Sequence, residues 1–241
     1  ALSVPRSVSM GIAGIAYIII SDIPISVIAQ RMGNGVNSFP LLAVPVFIFA
    51  GSLMNSSGIT TRIFDFAKLL IGPIRGGLAQ VNVVASLIFS GISGAALADI
   101  GGLGQIEIKA MEKQGYKLES AAAITAASAT IGPIFPPSIP LIIYGTVAEV
   151  SGVKLLIAGV VPGLLITLLL MLQIGYFARR YNFPVESRAY NVKEVFHAFR
   201  KALPALLAPV ILVGGLLSGF FSPTEVAAVT VFYGFILGKF I

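Results

Sequence analysis

Residues 76–104 read GGLAQVNVVASLIFSGISGAALADIGGLG. The stretch is long enough to cross a bilayer, which takes ~20 apolar residues at about 1.5 Å of rise each. Its centre, Ser90-Gly91-Ile92-Ser93-Gly94, would weaken a long helix, because glycine loses more freedom on ordering than any other residue. Whether the segment crosses or turns back decides the side of every later loop. If it crosses, Arg6, Arg62, Lys68, Arg75 and Lys154 share one face and every other basic residue lies opposite. If it dips in and returns, with its turn near Gly91 to Gly94, only Arg31 and Lys154 stand apart from the rest. Basic residues collect on the cytoplasmic side of a membrane. The second arrangement fits that rule far better, and the segment reads as a re-entrant helical hairpin entered from the cytoplasm.

Composition sets the solvent for the whole chain. Hydrophobic residues make up 56% of it and charged ones 11%, against roughly 25% charged in a water-soluble domain. Uncharged stretches run from Ser7 to Ser21, Met32 to Thr61, Gly76 to Ala98, Ser120 to Ala148, Leu155 to Ala178 and Ala202 to Thr224. All but the first reach spanning length. The fold class is therefore all-α integral membrane, multi-pass, with the lipid bilayer as a partner. A net charge of +6 would suggest nucleic acid in a soluble protein; here it belongs to cytoplasmic loops, and no nucleic-acid partner is expected. The absence of cysteine excludes disulfides, thiolate metal sites and a cysteine nucleophile. No run pairs a basic start with a short apolar core and a cleavage site, so no signal peptide is read. The chain opens at Ala1 without Met and stops at Ile241 in an apolar run, which reads as a piece of a longer protein.

The organisation follows from charge and punctuation. Residues 1–75 hold scaffold helices: a short apolar segment ended by Ser21-Asp22-Ile23-Pro24, then Phe39 to Met54, stopped by Asn55-Ser56-Ser57-Gly58. From Ile59 to Arg75 the apolar Ile63, Phe66, Leu69 and Leu70 oppose Arg62, Asp65 and Lys68, the pattern of an amphipathic interfacial helix. Residues 76–150 comprise the hairpin, 76–113, and a broken helix, 118–147. Residues 151–201 hold an uninterrupted span, Leu155 to Phe177, and a basic connector whose Val192, Val195, Phe196 and Phe199 form an apolar stripe. Residues 202–241 carry further apolar helix. Within them Ser222-Pro223-Thr224-Glu225 reads as a capping box with Pro at the first helical position.

The second break is GPIFPPSIP, residues 132–140. Pro133, Pro136, Pro137 and Pro140 remove four amide donors and forbid continuous helix. Irregular backbone in hydrocarbon survives only when buried in protein or lining a polar cavity. The half-helix before the gap directs carbonyls into it, which suit Na⁺. The half beginning near Ser138 presents amides, which suit a carboxylate. Paired discontinuous helices of this kind form the sites of secondary transporters. Asp99, the only acid between Arg75 and Glu107, serves either an ion or substrate pathway or the cap of the returning helix. Glu225 is explained by its cap, and His197 by the basic connector around it.

These residues also carry a resemblance. SFPLLAVPVFIFAGSLMNSSGI, FSGISGAALADIGGLG, AAAITAASATIGPIFPPSIPLIIYG, AGVVPGLL and SGFFSPTEVAAV resemble the large (DctM-type) membrane subunit of tripartite ATP-independent periplasmic, or TRAP, transporters. The resemblance implies the first part of an inverted-repeat, elevator-type transporter. It implies a bacterial inner-membrane location and Na⁺-coupled import of small organic anions such as carboxylates. It also implies a small membrane subunit and a soluble periplasmic binding protein as partners. Residues 76–150 would then be the moving part, and 202–241 the start of a second repeat that is cut short. Substrate contacts are expected from Ser93, Ala95, Asp99, Pro136, Pro137 and Ser138. Na⁺ ligands are expected from Ser90, Ser93, Gly94, Thr130 and Gly132. Ala95 departs from the serine that many relatives carry there.

Other classes read less well. Gly91-Ile92-Ser93-Gly94 fits the G-x-S-G pattern around the nucleophile of rhomboid intramembrane proteases. That chemistry needs a histidine to take the serine's proton, and His197 lies among Lys193, Arg200 and Lys201. No enzymatic activity is expected. A channel would need a selectivity filter or a ring of charge, and neither is recognisable. Another Na⁺-coupled carboxylate carrier of related architecture is the nearer alternative.

Overall fold

A computed structural model describes residues 5–36, 39–185 and 192–240, which form helices joined by turns, with no strand among them. The first helix, α1 (Arg6–Ile20), is exposed along almost its whole length, and α2 (Ser26–Val36) turns the expected polar connector into helix. A short 3₁₀ turn (Phe39–Leu42) leads into α3 (Ala43–Ser56). Gly58 adopts φ +76°, which a side chain would resist, and α4 (Ile59–Ile71) leaves at 69° to α3. Ile63 and Phe66 of α4 are buried and Asp65 is exposed, as the spacing implies, whereas Leu69 is half-buried and Leu70 exposed.

The segment 76–113 doubles back. α5 (Gly77–Ser93) ends at Gly94, φ +61°; Ala95 is extended; a short α6 (Ala96–Asp99) and a π-helical turn (Ile100–Gly104) lead into α7 (Gln105–Lys113). Asn82 of α5 lies 4.0 Å from the Met111 sulfur of α7, although 29 residues separate them. One straight helix would hold them roughly 43 Å apart.

α8 (Leu118–Ser128) tightens into a 3₁₀ turn (Ala129–Ile131), gives way to irregular chain over 132–138, and resumes as α9 (Ile139–Val147). α10 (Gly152–Arg180) is the longest helix described. α11 (Val192–Leu217) begins inside the basic connector rather than after it, because the apolar stripe at 195–199 continues the helical spacing of the span. Phe199 on this stretch meets Phe66 of α4 at 5.6 Å between ring centroids. α12 (Pro223–Phe240) starts as the sequence implies: the Glu225 carboxylate accepts from the Ser222 amide (2.7 Å) and hydroxyl (2.8 Å), and the Glu225 amide donates to the Ser222 hydroxyl (3.3 Å).

Cross-chain contacts sort the connections between two ends of the bundle. At one end Arg75 donates to Asn182 (3.1 Å), the Gly76 amide to Pro184 (3.2 Å), and Tyr116 stacks edge-on with Phe183. At the other, Arg31 pairs with Glu149 (3.1 Å). The hairpin therefore enters and leaves at the same end. Residues 152–180 and 193–217 are long and apolar enough to cross a membrane, and α3 with α4 forms a third, bent candidate. Leu164, Leu168, Leu172 and Val161 of α10 are exposed, as lipid-facing positions must be. The chain is a membrane protein.

Candidate functional site

The two breaks meet. The Ile139 amide donates to the Gly94 carbonyl (3.2 Å), tying the first residue of α9 to the tip of the hairpin. A Cβ on Gly132 would lie 3.2 Å from the Ala95 carbonyl carbon and 3.3 Å from the Ala96 nitrogen, and a Cβ on Gly94 would overlap the Pro137 carbonyl oxygen. Glycine is thus required at 94, and at 132 a side chain would press tightly on the hairpin backbone. Neighbouring helices close around it with small residues. Gly51 of α3 touches the Ser93 side chain, Gly91 lies under Pro209 of α11, and Gly163 of α10 backs onto Phe135.

Each expected site residue can now be placed. Ser93 is buried, and its hydroxyl has no hydrogen-bond partner. Ser90 is buried too; its hydroxyl donates to the Leu87 carbonyl (2.7 Å), while its own carbonyl accepts from Gly94 (3.2 Å). Pro136 and Pro137 are buried at the junction, and Ala95 is half-buried beside it. Ser138 is occupied structurally. It is fully buried, caps α9 by accepting from the Leu141 amide (3.2 Å), and donates to the Pro133 carbonyl. With Pro140 lacking an amide hydrogen and the Ile139 amide bound to Gly94, the start of α9 is already capped from within. The free-amide anion site expected there is therefore not formed. Thr130 is exposed and its hydroxyl turns back onto the Ala127 carbonyl (2.6 Å), so it does not join Ser93.

Asp99 does not sit at the tip either. One turn of α6 carries it into the hairpin's interior, beside Ser86. Ser86 lies two helical turns below Ser93, roughly 10 Å along α5. There it belongs to a buried polar cluster that the sequence reading missed. Asn82 donates to the Thr125 hydroxyl (2.7 Å) and accepts from Ser128; Ser86 bonds Ser128 (3.2 Å); Glu107 is fully buried near Asp99. The available signal was spacing: Asn82 and Ser86 at i, i+4 on one apolar helix, Thr125 and Ser128 at i, i+3 on another. His197 is exposed on α11 and Ser93 lies buried at the tip, so no serine–histidine pair forms.

Na⁺ prefers hard oxygen donors. The junction offers the unpartnered Ser93 hydroxyl, the Ser90 and Gly94 carbonyls, each with lone-pair capacity beyond its one bond, and the carbonyl of Gly132 nearby. That set fits Na⁺ in kind; Thr130 is exposed, with its hydroxyl donating to the Ala127 carbonyl.

Residues 1–241 match the family described as the tripartite ATP-independent periplasmic transporter, DctM component. The chain is 50% identical over 212 residues to the sialic acid TRAP transporter permease protein SiaT of Haemophilus influenzae, covering 88% of this chain and 34% of that protein. It is 46% identical to the sialic acid TRAP transporter large permease protein SiaM of Vibrio cholerae, covering 97% of this chain and 55% of that protein. Identity to the C4-dicarboxylate TRAP transporter large permease protein DctM of Vibrio cholerae is 38%, with coverage of 100% and 53%. The chain thus spans about half the length of the large permeases it matches. The proteins it resembles are transport permeases, not enzymes.

Proposed function

The chain belongs to the DctM family of tripartite ATP-independent periplasmic transporters, and from that membership and the meeting of its two breaks we propose that it supplies one half of a Na⁺-coupled import site for small organic anions. The observation that carries this reading is the Gly94–Ile139 junction. Two helices interrupted at the same depth face each other there, beside a buried serine hydroxyl without a partner. In a low-dielectric medium an unpaired oxygen is unfavourable, and a cation offsets that. Na⁺ would be held by Ser93 with backbone oxygens of Ser90, Gly94 and Gly132. The anion would lie on the face of the junction lined by Ala95, Pro136 and Pro137, with contacts completed by a second, inverted half.

The hairpin is re-entrant in this reading, since Arg75, Lys113, Lys117 and Arg179 then share the cytoplasmic side and Arg31 and Lys154 the periplasmic one. The Arg31–Glu149 and Arg75–Asn182 contacts support that sorting. Residues 76–150 would move as an elevator body in the bacterial inner membrane. A small membrane subunit and a periplasmic binding protein would complete the system. Among the substrates named for its relatives, a sialic acid is the first to assay, because the two sialic acid permeases share the higher identity with this chain. The test is uptake of labelled sialic acid and C4-dicarboxylates into proteoliposomes holding the full-length permease, its small subunit and its binding protein. Saturable uptake that follows an inward Na⁺ gradient supports the reading; uptake indifferent to Na⁺ refutes the coupling.

A further inference from the structure

Glu107 sits in the run Gln105–Lys113, QIEIKAMEK, whose alternation of charged and apolar residues belongs to a solvated helix. The fold instead buries it completely, and Asp99 is only 2% exposed. By hydrogen-bond geometry none of the four carboxylate oxygens has a partner, and Ser86 is the polar side chain placed beside Asp99. The two acids lie close enough to feel each other's charge. Among the described residues no basic side chain hydrogen-bonds either acid. Lys109, Glu112 and Lys113 on α7 are exposed, as are Asp65 on α4 and Glu119 on α8; Arg62 and Lys68 are half-buried along the charged face of α4; α5 carries no ionisable residue.

Two bare carboxylates cannot be kept in such a place. Removing one ionised group from water without a partner is worth several kcal/mol even after relaxation, and a like charge alongside adds to it. Ser86 lies beside Asp99 and bonds Ser128, which donates to Asn82, so the polar neighbours offer oxygen, without imidazole or thiolate. Hard oxygen donors accept H⁺ or Na⁺ and discriminate against softer metals.

We propose that Glu107 and Asp99 form a cation-binding site inside the hairpin, separate from the junction of the two breaks, which takes its compensating charge from solution as H⁺ or Na⁺. The site lies on the cytoplasmic side of the hairpin tip if the hairpin is re-entrant. Its occupancy does not depend on the uptake reading, because it follows from the burial of two unpaired acids alone.

The test uses purified full-length permease with its small subunit, at rest and without organic substrate. Two quantities are measured at neutral pH: bound ²²Na⁺ per permease, and the infrared C=O band of protonated carboxyls, identified by its shift in D₂O. Glu107→Gln keeps the side-chain volume and removes one charge, so it should abolish either one bound Na⁺ or part of the protonated-carboxyl band. Loss of the band identifies the cation as H⁺; loss of a Na⁺ identifies it as Na⁺. Asp99→Asn should perturb the same signal, since both acids share the site. Should Glu107→Gln elute as a single species with the wild-type unfolding temperature and change neither quantity, the proposal is overturned. Wild-type protein alone also decides the matter if the variants fail to fold: a spectrum without a protonated-carboxyl band, from protein that binds no Na⁺, overturns it. A stoichiometric divalent ion released by chelator would overturn it as well.

Discussion

Replacing Gly94 by alanine probes the junction at its narrowest point. Gly94 holds φ +61°, where an L side chain is unfavourable by about 1–2 kcal/mol. The added Cβ would overlap the Pro137 carbonyl oxygen and lie 3.0 Å from its carbon, both backbone atoms that cannot rotate away. Relief must therefore separate the tip from the Pro-rich segment and break the 3.2 Å bond from Ile139 to Gly94, a further ~0.5–1.5 kcal/mol. Together the penalty is about 1.5–3.5 kcal/mol. Each kcal/mol moves the midpoint by roughly 2–4 °C for 150–250 residues and by less for a longer chain, so Tm of the full-length permease should fall by a few degrees. Gly101→Ala is the control, since nothing lies within 4 Å of its Cβ direction and no positive φ is involved. The assay is thermal unfolding of full-length permease in detergent, alongside Na⁺-driven uptake. Gly94→Ala should lose Tm and most uptake, while Gly101→Ala keeps both. A Gly94→Ala protein with wild-type Tm and uptake would show that the two breaks do not meet as described.

Further expectations rest on other contacts. Ser93→Ala removes the unpartnered hydroxyl at the junction; a loss of ~1–3 kcal/mol for a buried polar contact should raise the Na⁺ concentration for half-maximal uptake roughly tenfold to hundredfold. Thr130→Ala should change it much less, since that hydroxyl is exposed and bound to Ala127; equal effects of the two substitutions would contradict the assignment. Glu225 accepts from the Ser222 amide and hydroxyl, which holds its carboxyl below the usual range. The cap's contribution is complete above the unfolded carboxylate range and disappears as pH falls through the folded value. Hydrogen exchange over 222–226, corrected for intrinsic rates, should accelerate on acidification in wild type but not in Glu225→Gln.

The features legible in the sequence were those set by local rules. Gly58 stopping α3, the Pro-rich break at 132–138 and the Ser222–Glu225 cap depend on nearby residues and fall where the sequence places them. The doubling-back of 76–113 was legible because charge sorting is a global constraint written in one residue type; its re-entry into a membrane stays part of the proposal. What escaped depends on pairing across the fold. The alternation in QIEIKAMEK cannot say that Glu107 meets Asp99 across a π-helical turn. Nothing local tells that Ser138 spends its hydroxyl on Pro133 and Leu141, or that the Ile139 amide is taken by Gly94. The sequence reading therefore located the breaks correctly but left their amides open, whereas the tertiary contacts close them. Asp99 was misplaced for the same reason: one turn of helix after Ala95 rotates it from the tip into the interior.

The return of residues 77–113 to the end of the bundle they came from underlies the whole placement of the site. These 241 residues contain no cysteine, and Lys113, Ser151 and Lys193 are all exposed; any cysteine elsewhere in the full-length permease is first replaced by serine. Single cysteines at these positions in the full-length permease should be modified by a membrane-impermeant maleimide in a sided pattern. Lys113→Cys and Lys193→Cys should react only from the cytoplasmic side, and Ser151→Cys only from the periplasmic side. Labelling of the Lys113 and Lys193 positions from opposite sides would contradict the account.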